Sequence, residues 1–135
     1  MPKTSVALVL AEGNFYKEQF DKSTDDELED LIEQRIDEAA AEIEKSVGPD
    51  FYSSSEPSTV QVITTAETYL AVSKCWQTLH NILIAWDKEQ LPSEHISEKE
   101  SAANRDYYRA KAQQTLALLN LLPPFRTAGT QPLEQ

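Results

Sequence analysis

Only three glycines and one cysteine occur in this 135-residue chain. So little glycine removes most of the tight turns that a many-stranded all-β fold requires. The single Cys75 excludes an internal disulfide and fits a reducing compartment. Lying inside the most apolar segment, it reads as a small buried hydrophobe. Positive charge is scarce as well, with 12 Lys+Arg against 23 Asp+Glu and a net charge of -11. Such a surface repels naked nucleic acid, so no direct sequence-specific nucleic-acid contact is expected. Long apolar runs are also missing. The uncharged stretch from Cys75 to Trp86 includes Gln77, His80 and Asn81 and falls short of the ~20 residues that cross a bilayer, so no membrane partner is expected. The apolar run from Ser5 to Ala11 is minimal for a secretory signal, and Glu12 stands where a small-residue cleavage site belongs. The expected setting is intracellular.

What is present is helical periodicity. Thr24 with Glu27 forms a capping box, and Asp25 and Asp26 suit the positive end of a helix dipole. Leu28, Leu31, Ile32, Ile36, Ala39, Ile43 and Val47 then recur at three- and four-residue steps until Gly48-Pro49. This predicts a helix over 25–47. Residues 48–57 read as a loop. Ser58 with Gln61 suggests a second capping box, opening a helix over 59–87. That helix is apolar nearly all round. Its one consistently polar strip is Glu67, Lys74 and Asn81, seven residues apart. A helix of this kind has to be covered on almost every side. With only two other good helices in view, part of its surface is expected to await another subunit. The break at Leu91-Pro92 precedes a third helix over 98–122, with an expected inner stripe of Ala103, Tyr107, Ala110, Ala117, Leu118 and Leu121. Pro123-Pro124 ends it.

Residues 1–23 hold a β-prone run at Val6–Leu10 followed by Phe15, Tyr16 and Phe20. They read as an arm or short strand that docks by its aromatics. The expected organisation is an N-terminal arm (1–23), an all-α domain of three principal helices (24–122) and a C-terminal arm (123–135).

Charge is the strongest polar signal. Residues 1–50 hold 14 acids and 5 bases, whereas residues 51–135 hold 9 acids and 7 bases. Asp26, Asp30, Glu33, Asp37 and Glu44 form a narrow acidic arc on the first helix, with Arg35 and Lys45 lying off it. Such an arc is either a solvated face or a docking stripe. Arg105, Arg109, Lys111 and Arg126 offer complementary charge within the same chain, and two such faces suit head-to-tail contacts. The apolar candidates for that interface are Leu116, Leu119, Leu122, Phe15, Phe20 and Phe125. Trp76 and Trp86 read as core or interface anchors.

Nothing suggests catalysis, so no catalytic residue, cofactor or metal is expected. Gln77 stands three residues before His80, where a di-iron bundle would have glutamate. The cluster Asp25-Asp26-Glu27 has neither the spacing nor the glycine of a calcium loop. Glu94, His95 and Glu98 amount at most to an accidental surface site. His80, near Tyr69 and Trp76 by helical angle, reads as a hydrogen-bonded core histidine, and His95 as a loop residue. No phosphate loop or nucleophile elbow occurs.

Three stretches occur in an order seen elsewhere. Asp26-Glu27-Leu28-Glu29-Asp30-Leu31-Ile32 gives an acidic first helix. Ala39-Ala40-Ala41-Glu42-Ile43 runs to a stop and an aromatic at Gly48-Pro49-Asp50-Phe51. An apolar helix then ends at Leu83-Ile84-Ala85-Trp86-Asp87-Lys88. Over residues 24–90 this order resembles the small helical head–tail connector (adaptor, or head-completion) proteins of tailed bacteriophages. The resemblance implies a non-enzymatic virion protein of the neck, assembled in the host cytoplasm. It would form a homo-oligomeric ring and contact the portal protein and a tail or stopper protein. Dodecameric symmetry is implied by the resemblance alone. The rival from the residues themselves is a small acidic helical regulatory or inhibitor protein acting by protein–protein binding, with a helical enzyme subunit third. Acids concentrated on one helix favour the adaptor over a charge mimic.

Overall fold

The computed structural model describes residues 2–85 and 98–121. It is all-α, and no strand occurs among the described residues. Among the described residues five helices follow in chain order: α1 (Val6–Gly13), α2 (Asp25–Val47), α3 (Pro49–Tyr52), α4 (Pro57–Ala85) and α5 (Glu98–Ala117). One 3₁₀ turn, Lys17–Phe20, links α1 to α2, and another, Leu118–Leu121, extends α5.

The β-prone run Val6–Leu10 is helical, which corrects the strand reading. Ser5 Oγ accepts the Leu8 N–H at 3.3 Å, and Asn14 closes the other end in the left-handed region, its N–H bonded to Leu10 O at 2.8 Å. A lone strand has no ladder partner for its N–H and C=O groups, whereas a helix satisfies its own. The Lys17–Phe20 turn is fixed by Tyr16 N donating to Gln19 Oε1 at 2.9 Å.

Helix α2 spans the expected residues. Thr24 Oγ1 accepts the Glu27 N–H at 3.1 Å, while the Glu27 carboxylate reaches Ser23 N at 2.8 Å, one residue upstream of the expected capping box. Gly48 ends α2 with φ +93° and ψ 153°, a backbone region in which an L side chain is strained. Pro49 then begins α3 directly, so the stretch expected to be a loop contains a helical turn that buries Tyr52. Pro57 occupies the first turn of α4 with Glu56 as its cap, since Glu56 O accepts from Val60 N at 2.9 Å. Ser58 therefore lies inside the helix and the second capping box does not form. The far end of α4, Trp86 and His95 fall outside the described residues.

Helix α4 is the central element, and α1, α2, α3 and α5 all pack on it. Ile63, Ala66, Leu70, Ala71, Val72, Cys75, Trp76, Leu79 and Leu83 are buried along it. Leu28, Ile32, Ile36, Ala39 and Ile43 of α2 face them. The N-terminal segment supplies the cover that seemed to be missing. Val9, Phe15 and Phe20 enter the same core, and the Phe15 ring meets Phe20 at 5.4 Å and Trp76 at 5.3 Å, both edge-on. The chain thus covers by itself much of the α4 surface that the sequence left open, while Ile84 remains exposed towards the end of the helix. Cys75 is fully buried, and burial pushes its thiol up to about 12.

Helix α5 presents a different face from the expected one. Ala103, Tyr107, Ala110, Ala117 and Leu118 are exposed, and the Leu121 side chain lies outside the described residues. Ser101 and Ala112 are buried instead, with Arg105, Tyr108, Leu116 and Leu119 partly covered on the same side. Small residues let α5 approach α4 closely. Ser73 Oγ donates to Arg105 O at 2.8 Å, and His80 Nδ1 bonds Ser101 Oγ at 3.0 Å. Backbone approach and hydrogen bonding chose this face over apolar content.

Candidate protein interface

The acidic arc is real in space. Asp26, Asp30, Glu33, Asp37 and Glu44 are all exposed along α2. At about 100° per residue they centre roughly half a turn round from Arg35, Glu38 and Glu42. The latter three turn towards α4 and α5. Glu42 accepts Lys74 Nζ at 3.0 Å and Arg109 Nη1 at 2.9 Å, which ties α2 to both neighbours. Burial raises the Glu42 pKa, but the two cations outweigh it and hold the carboxyl below its ordinary 4.5.

The basic residues separate. Arg109 serves Glu42, while Arg105 donates to Asp106 and to Gln77 Oε1, both at 2.8 Å. Lys111 faces elsewhere, over the rings of Tyr69 and Tyr107 at 5.1 and 5.4 Å. Beside it Tyr108 donates to the Glu12 carboxylate at 3.1 Å and stacks near Tyr69, fastening α5 to the end of α1. Burial first, then Glu12, pushes the Tyr108 hydroxyl up to about 12.

Among the apolar candidates, Phe15 and Phe20 are 8% and 1% exposed and belong to the core of the single chain, which removes them from any outer surface. Leu116 and Leu119 are half-buried against the body. Leu122, Phe125 and Arg126 lie outside the described residues, as do Glu94 and His95. Among the described residues the large apolar side chains that face outward are Leu8, Tyr16, Ile84, Tyr107 and Leu118, each about half exposed.

The most consequential polar residue is one the sequence left on a strip. Glu67 is fully buried. Its Oε2 accepts the N–H groups of Lys3 and Thr4 at 2.7 and 2.9 Å, and its Oε1 accepts the Tyr52 hydroxyl at 2.6 Å. Thr4 Oγ1 and Thr68 Oγ1 lie 2.6 Å apart beside it, and Lys3 Nζ sits 5.0 Å above the Tyr52 ring. One carboxylate thus gathers the N-terminal segment, α3 and α4. Burial and the adjoining Glu67 together raise the Tyr52 pKa well above 10. The strip Glu67, Lys74, Asn81 therefore runs from core to surface along α4.

Among the described residues, no group of three or more His, Cys, Asp or Glu side chains is placed to hold a metal, and no helix is long and apolar enough to cross a membrane. No protein-family model, curated protein or solved structure matches the chain.

Proposed function

We propose that this chain is a structural adaptor of a phage virion neck, a non-enzymatic protein that forms a homo-oligomeric ring joining the portal to the tail or stopper. The observation that carries the reading is the orientation of the acidic arc. Asp26, Asp30, Glu33 and Asp37 are exposed and make no ion pair among the described residues, and Lys74 and Arg109 are engaged by Glu42 on another side of α2, so the arc is open to a partner. The resemblance of residues 24–90 to head–tail connectors supplies the identity of that partner. Exposed ion pairs contribute only about 0–1 kcal/mol each, so the arc sets register and orientation. Affinity comes from apolar burial by outward residues such as Leu8, Tyr107 and Leu118, at ~25 cal/mol per Å² before the costs of association.

The test is assembly onto portal-bearing particles. Asp30→Lys with Glu33→Lys, and separately Arg105→Glu with Arg109→Glu, are compared with wild type at low and moderate salt. The reading expects at least one set to lose assembly or to depend more steeply on salt. If both assemble like wild type, the arc is only a solvated face. The rival, a small acidic regulator, predicts binding to one soluble partner at fixed stoichiometry with no affinity for the portal.

A further inference from the structure

Between α2, α4 and α5 lies a cleft of about 200 Å³ whose walls carry Arg35, Lys74, Arg105 and Arg109. Three acids answer these four cations: Glu38 bonds Arg35 at 3.3 Å, Glu42 bridges Lys74 and Arg109, and Asp106 bonds Arg105. Counted over the described residues the cleft stays net positive, in a chain of net charge -11. Its neutral hydroxyls are already spent, since Ser73 Oγ donates to Arg105 O and Thr78 Oγ1 donates to Lys74 O. Most of the donors that remain belong to the cations, with the Asn81 amide beside them. Lys74 Nζ gives only one of its three protons to Glu42, and Arg105 Nη2 and Arg109 Nη2 and Nε have no partner among the described residues. These cations come from two helices, with Arg35 on a third, so they converge from more than one side as a tetrahedral anion requires.

We infer that this cleft is a binding site for a phosphate dianion, free or carried as a phosphomonoester, held chiefly by Lys74, Arg105 and Arg109. The inference stands apart from the adaptor reading and survives or fails without it. A planar monoanionic carboxylate uses fewer of these donors and binds more weakly.

The test is a titration of the full-length chain with inorganic phosphate, read by amide chemical shifts at constant ionic strength in chloride. Saturable shifts are expected at residues 73–81 and 105–109, with a dissociation constant on the order of 1 mM. Lys74→Met and Arg105→Met, taken singly, should each weaken binding by about tenfold or more, as expected for one lost charge-assisted hydrogen bond. Lys111→Met, outside the cleft, should leave it unchanged. The two cleft variants check each other should one fold poorly. A parallel titration with glycerol 3-phosphate identifies the source: equal affinity means an ester is accepted, and loss means a site for the free ion. The proposal is overturned if no saturable shift occurs in the cleft. It is equally overturned if acetate matches phosphate in affinity, or if both cleft variants bind like wild type.

Discussion

The Tyr52 hydroxyl donates to Glu67 Oε1 at 2.6 Å across fifteen residues of sequence, and both side chains are buried. Because the other oxygen of Glu67 holds the Lys3 and Thr4 N–H groups, this contact couples the one-turn helix after α2 to the start of the chain. Replacing Glu67 with glutamine turns an amide N–H towards groups that are themselves donors. Glu67→Gln should cost about 2 kcal/mol, and Tyr52→Phe about 1–2 kcal/mol, in urea unfolding. The two effects should be clearly non-additive in the double variant. Additive effects would mean that the two side chains act separately.

Alkaline pH should loosen the same region. Tyr52 and Tyr108 both have pKa values raised above 10 in the folded chain, Tyr108 to about 12. A raised value means that folding favours the protonated form. This contribution is therefore fully present below about pH 10 and is lost as pH rises from there through the folded values. Unfolding free energy measured from pH 8 to 12 should fall above pH 10, and the fall should be smaller in Tyr52→Phe combined with Tyr108→Phe. An identical slope in that double variant would exclude these hydroxyls as its source.

Glu42 responds in the opposite direction. Its pKa is lowered, so the stability it contributes is present above 4.5 and is lost as pH falls through the folded value. With Lys74→Met and Arg109→Met combined, only burial would remain, and burial raises the value. Carboxyl-carbon titration by NMR should then move Glu42 from below 4.5 to at or above it. A value that stays low would show that the two cations do not control this carboxyl.

Gly13 tests the N-terminal cover. A Cβ built there would overlap the Phe15 ring, so Gly13→Ala must displace a ring that packs on Trp76 and Phe20. The expected cost is on the order of 1–3 kcal/mol, with the Trp76 emission shifted to the red as its cover loosens. Wild-type stability and emission would mean that the Phe15 ring is not fixed in this position.

The parts legible in the sequence were those decided locally. Thr24, the α2 periodicity and Gly48-Pro49 specify a helix through its own caps and breaks, and burial of Cys75 follows from its place in the most apolar segment, whereas His80 is half-buried and takes its partner, Ser101, from α5. The remainder depended on tertiary partners. Val6–Leu10 has strand-like composition, but Ser5 and Asn14 cap it at both ends and no strand among the described residues could pair with it. Those two caps were the available signal. On α5 the apolar stripe misled because Ser101 and Ala112 permit close approach to α4, and small size carries no hydrophobic periodicity. Glu67 gave no local sign of burial, since its donors come from residues 3, 4 and 52.

The adaptor reading is tested most directly by mass. The chain is mixed with a phage portal protein, and the complex is weighed by native mass spectrometry, with the chain alone as reference. The account predicts a complex containing one closed set of many copies of this chain on the portal, whether the free chain is monomeric or not. A portal whose mass is unchanged in the presence of excess chain would contradict it.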